Sequence, residues 1–155
     1  MPLLRAALSW NFVLATAICA SLLAQLIKVL LNLFIFHRFI AERMWGAGGM
    51  PSSHSATVCA MVVATGRYCG VNSPLFAIAA VLSIIVMYDA MGVRYETGEQ
   101  AKVLNKMFTE WMDQGFEQFQ LPHGKKLKEM VGHTPIEVVT GAALGIVLGF
   151  AMPMV

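Results

Sequence analysis

His133 and Glu137 stand four residues apart, just after Gly132 and on either side of Thr134-Pro135. On a helix that spacing puts both on one face. A carboxylate there can hold one imidazole nitrogen and leave the other to act as nucleophile or base. A second histidine, His54, closes the run Gly48-Gly-Met-Pro-Ser-Ser-His. The glycines permit unusual backbone angles and Pro51 suits a first helical turn. Free amides near Ser52 and Ser53, at the positive end of a helix, make a seat for phosphate. His54 beside that seat can give a proton to a leaving oxygen. Two further clusters complete the set, Lys28 with Asn32 and Asp89 with Arg94. Lys28 and Arg94 can neutralise an anionic ligand. Asp89 borders an apolar run and needs a partner, either Arg94 or a divalent cation.

The elements that must position these residues read as helices in lipid. The 155-residue chain is 57% hydrophobic and only 13% charged, whereas an ordinary soluble domain is about a quarter charged. The apolar residues come in blocks, which predicts an all-α integral membrane bundle forming a single domain over 1–155, with about four spans. The spans fall at about 11–36, 55–69, 74–91 and 135–155. The first continues too far to be a cleaved signal segment. The second is short unless its polar ends enter the membrane. Gln25, Lys28 and Asn32 share one face of the first span and should turn inward or reach for the interface. Gly141, Gly145 and Gly149 give the last span a small-residue packing stripe. In the polar stretch 92–133, Ala101, Leu104, Phe108, Trp111 and Met112 recur at helical spacing, which predicts an amphipathic helix on the membrane or capping the bundle. Cys19, Cys59 and Cys69 are odd in number and read as small buried thiols rather than a disulfide framework.

Charge then orients the bundle. Four spans bring Arg38, Arg43, Arg94, Lys102, Lys106, Lys125, Lys126 and Lys128 to one side, against Arg5 and Arg67 on the other. The loaded side is expected to be cytoplasmic, with both termini opposite. All four polar clusters belong to that loaded side. Lys125, Lys126 and Lys128 read as a solvated or headgroup-facing surface, and His37 and His123 as surface residues. The formal net charge of +2 gives no reason to expect nucleic acid as a partner.

At these residues the sequence resembles a known family. Pro51-Ser-Ser-His54 is similar to the Pro-Ser-Gly-His motif of the type-2 phosphatidic acid phosphatase superfamily, which includes vanadium haloperoxidases. His133-x-x-x-Glu137, followed by Val138 and Gly141, is similar to its His-x-x-x-Asp motif, and Lys28 to its first-motif lysine. Gly48–Ala56, Val86–Arg94, Gly98–Ala101 and Gly132–Glu137 resemble more closely the divergent bacterial and plant branch, nearly across the whole chain. The resemblance implies hydrolysis of a phosphomonoester or diphosphate through a phosphohistidine, without a metal or other cofactor. His133 would be the nucleophile, Glu137 its orienting carboxylate and His54 the general acid. Ser52, Ser53 and Lys28 would bind phosphate, with Arg94 joining them by charge and Asn32 and Asp89 in support. A lipid phosphate or polyprenyl (di)phosphate is the implied substrate, in a bacterial inner membrane or a plastid membrane.

The chain also departs from the family pattern. Arg38 lies too far along to match the first motif's Arg-Pro pair and is followed by Phe39. Leu127 stands where the third motif has an arginine, six residues before His133. Other readings therefore stay open: a non-catalytic anion or lipid-headgroup binder, a metal site centred on Asp89 with Glu137 or His133 as further ligands, and an assembly subunit. Four short helices also leave room for a homo-oligomer to complete the site.

Overall fold

The structure is a computed structural model that describes residues 11–36, 49–114, 126–129 and 131–154. Arg5, His37, Arg38, Arg43, Gly48, His123 and Lys125 lie outside the described residues. Five helices follow one another: α1 Phe12–Phe36, α2 Ser53–Cys69, α3 Pro74–Met91, α4 Val93–Asp113 and α5 Pro135–Ala151. There is no strand among the described residues, and the protein is an all-α membrane bundle. The α1 stretch Phe12–Phe34 and the α3–α4 stretch Pro74–Asp113 are long and apolar enough to cross a membrane by themselves. The shorter α2 and α5, each 17 residues, extend about 25 Å at 1.5 Å per residue. That is slightly less than a hydrocarbon core of about 30 Å, so their polar first turns sit at its border.

Local chemistry sets the helix starts. The Asn11 side chain accepts from the Leu14 amide (2.9 Å) to open α1. Ser73 accepts from the Phe76 amide (3.2 Å) ahead of Pro74, opening α3. Each oxygen takes one of the orphan donors that every helix start exposes.

α2 is the central helix, packed against α1, α3 and α5. Its neighbours approach closely because the contacting residues are small. Ala20 and Ala24 of α1 meet Ala56 and Ala60 of α2, with Leu144 and Leu148 of α5 closing the cluster. The glycine stripe of α5 lies directly on the α2 backbone. A Cβ at Gly141 would collide with the Ser52 carbonyl, and one at Gly145 with the Ala56 carbonyl. At Gly149 it would stand 2.7 Å from the Val63 side chain. In lipid, where burial of apolar surface drives little helix association, this backbone proximity is what holds two helices together.

Arg67 locks the opposite pole. Its guanidinium donates to the carbonyls of Gly149 (2.6 Å), Phe150 (3.1 Å) and Met152 (2.7 Å) and lies 5.6 Å from the centre of the Phe12 ring. A cation at the negative end of α5 satisfies carbonyls that have no helical partner. The sequence offers Arg67 only as an isolated charge on the sparsely charged side.

Gly145→Val should therefore force α5 off α2 and lower stability by about 1–3 kcal/mol, the usual cost of overpacking. Reversible denaturation of the detergent-solubilised protein checks it, with Ala143→Val on the exposed side of α5 expected to be near neutral.

Candidate functional site

The second histidine motif reaches the site on a strap of irregular chain, residues 126–129 and 131–134, laid over α4. Asn105 of α4 is buried and clamps it. The Asn105 amide donates to the Leu127 carbonyl and to Glu129 Oε1, and its oxygen accepts from the Leu127 amide, each at 2.8 Å. Gly98, two turns earlier, lets the strap touch the helix, since a Cβ there would stand 2.6 Å from the Glu129 carbonyl oxygen. Gly132 then takes a φ of 97°, a left-handed conformation that side-chain-bearing residues rarely adopt. The strap ends with the His133 amide donating to the Ala90 carbonyl at the end of α3 (3.0 Å). Contacts with α3 and α4 thus fix where His133 lies.

His133 is 2% exposed. Its Nδ1 is 3.1 Å from Glu137 Oε2, and the same carboxylate oxygen accepts from the Thr134 amide (3.1 Å). An ionised carboxylate can only accept, so in the neutral ring Nδ1 carries the proton and Nε2 keeps its lone pair. Nε2 is buried and has no hydrogen-bond partner among the described residues. A buried polar atom without a partner is costly to maintain in a folded protein. Burial is the main effect holding the imidazole below its ordinary value of 6.5; Glu137 pulls it up, while Lys28 and Arg94 push it further down. At neutral pH the ring is uncharged and carries its lone pair on Nε2.

His54, in the first turn of α2, meets His133 edge to face with ring centres 6.0 Å apart. The two histidines border a cavity of about 270 Å³ with Asp89 and Arg94 at its mouth and Ile85, Val86 and Ala90 as its apolar wall. Arg94 Nε donates to Asp89 Oδ2 at 2.6 Å. A guanidinium has five N–H donors, so this pair leaves the terminal amino groups of Arg94 for a ligand. Lys28 is only 4% exposed, its methylenes lie beside Gly49, and its charge acts on Glu137 and on both histidines. It sits behind the His133–Glu137 pair and does not border the cavity.

The sequence-derived residues thus divide into two groups. His54, His133, Asp89 and Arg94 converge on the cavity, with Glu137 and Lys28 directly behind. Ser52 goes elsewhere. It is fully buried, its amide donates to the Glu137 carbonyl (2.9 Å), and its hydroxyl oxygen accepts from the Ser55 amide (3.3 Å) and pairs with the Ser55 hydroxyl (3.1 Å). Ser52 joins α2 to α5 and has no amide to offer an anion. Ser53 is half-buried in the first turn of α2, and its carbonyl accepts from the Thr57 hydroxyl (2.7 Å). Asn32 is half-buried one turn beyond Lys28 on α1. Among the described residues no three His, Cys, Asp or Glu side chains converge as metal ligands. Asn105 escaped the sequence reading and Gly98 entered it only within a stretch that resembles the family, because their partners lie more than 20 residues away. Their only local signal was a polar and a small residue on the inner face of an amphipathic helix.

The comparisons with known proteins agree with one another. The family described as "Divergent PAP2 family" matches residues 9–148. A protein of Bacillus subtilis (strain 168), described as "Uncharacterized membrane protein YuiD", is 40% identical over 144 residues, covering 89% of this chain and 91% of the relative. No solved structure matches the chain.

Asn105→Ala should release the strap while leaving the α2–α5 contact intact. Amide hydrogen exchange in residues 126–133 is expected to rise by about one to two orders of magnitude, equivalent to about 1–3 kcal/mol for the lost hydrogen bonds. Exchange in the glycine stripe of α5 should stay unchanged.

Proposed function

The chain belongs to the divergent PAP2 family, and from that footing we propose that it is a membrane phosphatase hydrolysing a phosphorylated lipid through a phosphohistidine. The observation that carries the reading is His133 itself: its buried Nε2 has no partner among the described residues, its Nδ1 faces Glu137, and the residue borders a cavity with His54 and Arg94. In this scheme Nε2 attacks phosphorus and the P–O bond to the lipid breaks. Glu137 keeps the proton on Nδ1 and stabilises the ring as it becomes positive. His54 protonates the leaving lipid oxygen, then takes a proton from the water that cleaves the phosphohistidine. Phosphoryl transfer depends chiefly on positioning and charge neutralisation. Arg94 supplies charge at the cavity mouth, Lys28 from behind, and the first turn of α2 at Ser53 adds its positive helix end.

No step in this scheme uses a metal, so turnover should persist in EDTA. In purified protein tested on long-chain phosphates and diphosphates, His133→Ala should abolish phosphate release and His54→Ala should lower it about 10²–10⁴-fold, the usual contribution of a proton donor. Turnover that survives His133→Ala, or that EDTA abolishes, would overturn the scheme. The Asp89–Arg94 ion pair favours one second reading, a headgroup binder without turnover, because it offsets the one arginine that borders the cavity among the described residues. That reading predicts saturable binding of the same lipids with no phosphate released.

The pH dependence follows from His133. Only its neutral form has the Nε2 lone pair, and burial keeps its pKa below 6.5. As pH falls, protonation of His133 should therefore lower kcat/KM only through a pKa below 6.5, while the limb at rising pH reports loss of the proton that His54 must carry as the acid. An acid-side decline centred above that value would mean that His133 is not the group titrating. We also assign the motif-bearing pole to the cytoplasm from its excess of Lys and Arg. In a chain with its three cysteines replaced, Lys126→Cys should resist a membrane-impermeant thiol reagent applied to intact cells and react after lysis.

A further inference from the structure

Two cavities lie along one groove of the bundle. The smaller is bounded by His54, Ile85 and Asp89, among others. The larger, of about 450 Å³, opens towards the other pole between α1, α2 and α3, where Met61, Tyr68, Leu75 and Leu82 line it. Their walls are built from the same faces of α2 and α3. On α3, Leu75, Ile78 and Leu82 of one cavity and Ile85 and Asp89 of the other recur every three or four residues, so one helical face serves both. On α2, His54 lines the smaller cavity while Met61, Thr65 and Tyr68 of the same face line the larger. α1 and α3 make no contact with each other among the described residues, which leaves that face of α2 open between them.

The geometry points to a slot for a single hydrocarbon chain, running from the His54–His133 cavity past the bilayer midplane towards Tyr68. This inference rests on reading that cavity as a phosphate site. His54 to Tyr68 and Asp89 to Leu75 are equal steps along their helices, each about 21 Å at 1.5 Å per residue. Half of a hydrocarbon core is only about 15 Å. A chain seated along the slot therefore outruns one leaflet. The larger cavity's volume of about 450 Å³ is at the modest end for ligand sites, which suits one chain rather than two. The substrate class is a phosphate or diphosphate ester of one long chain, as opposed to a two-chain glycerolipid whose tails end at the midplane. A chain entering the slot exchanges one apolar environment for another and gains little free energy by burial. The slot acts by registration, holding the chain so that the phosphorus stands at His133.

Photocrosslinking reads that register directly. Decyl and eicosyl phosphates carrying a diazirine on the terminal carbon are photolysed with the full chain in nanodiscs, and the labelled residues are mapped by mass spectrometry. The slot predicts that the decyl probe labels near Leu82 and Ile85, and that the eicosyl probe moves the label two helical turns, to Leu75 and Tyr68. Leu82→Trp, which fills the slot midway, should remove the distal label. Eicosanol with the same diazirine, lacking the phosphate, should label the slot far less. The slot is wrong if both phosphates label the lipid-facing Ile84 and Phe150 indifferently, or if the alcohol labels the slot as strongly as the phosphate does. Phosphate release is followed on the same preparation. Labelling in register without release keeps the slot and removes hydrolysis, whereas release with scattered labelling keeps hydrolysis and removes the slot.

Discussion

A backbone hydrogen bond from the Ser52 amide to the Glu137 carbonyl (2.9 Å) fixes the register of α2 on α5, and the site depends on that register. His54 is two residues after the donor, and Glu137 is itself the acceptor. Any slip between the two helices would therefore separate the two histidine motifs. The bond can form because Gly141, Gly145 and Gly149 let α5 rest on the backbone of α2. Small residues on one helix and exposed carbonyls on the other make a contact that lipid cannot replace. At the far pole the Arg67 guanidinium ties the end of α5 to the end of α2, so the pair is fixed at both ends.

The remaining geometry follows from that pair. Once α5 is placed, the strap before it has to cross the end of α3 to reach α4. It does so by donating the His133 amide to the Ala90 carbonyl and taking the Asn105 clamp. The amphipathic α4 thus has two faces with separate tasks. Its buried Gly98 and Asn105 hold the strap, while Val103, Leu104, Met107 and Met112 are exposed and suit a membrane surface. Electrostatics completes the arrangement. Lys28, Arg94, Asp89 and Glu137 stand around the two histidines at the polar end of an otherwise apolar bundle.

Much of this was legible in the sequence because it is local. Hydropathy blocks give the helices, the four-residue spacing gives the His133–Glu137 contact, and the four-residue glycine repeat gives the α5 packing face. Convergence of His54 with His133 was legible more indirectly, from four polar clusters that alternate helix ends bring to one pole. The parts that were not legible are long-range. Ser52 reads as a phosphate seat because its helix start is local, while the acceptor that engages its amide lies 85 residues away. Asn105 goes unnoticed and Arg67 reads only as a charge on the sparsely charged side, because their acceptors sit on segments 22 to 85 residues distant. The influence of Lys28 on Glu137 and the two histidines also depends on tertiary packing, since α1 itself carries none of the three.

The most direct test of the central claim is to trap the covalent intermediate. Purified protein is mixed with a long-chain phosphate, quenched in alkali to preserve phosphoramidates, digested, and sequenced by tandem mass spectrometry. The account predicts a phosphoryl group on the peptide containing His133, formed within a single turnover, lost on mild acid treatment, and absent from His133→Ala. Phosphate release with no phosphoryl group on His133, or with the label on another residue, would contradict it.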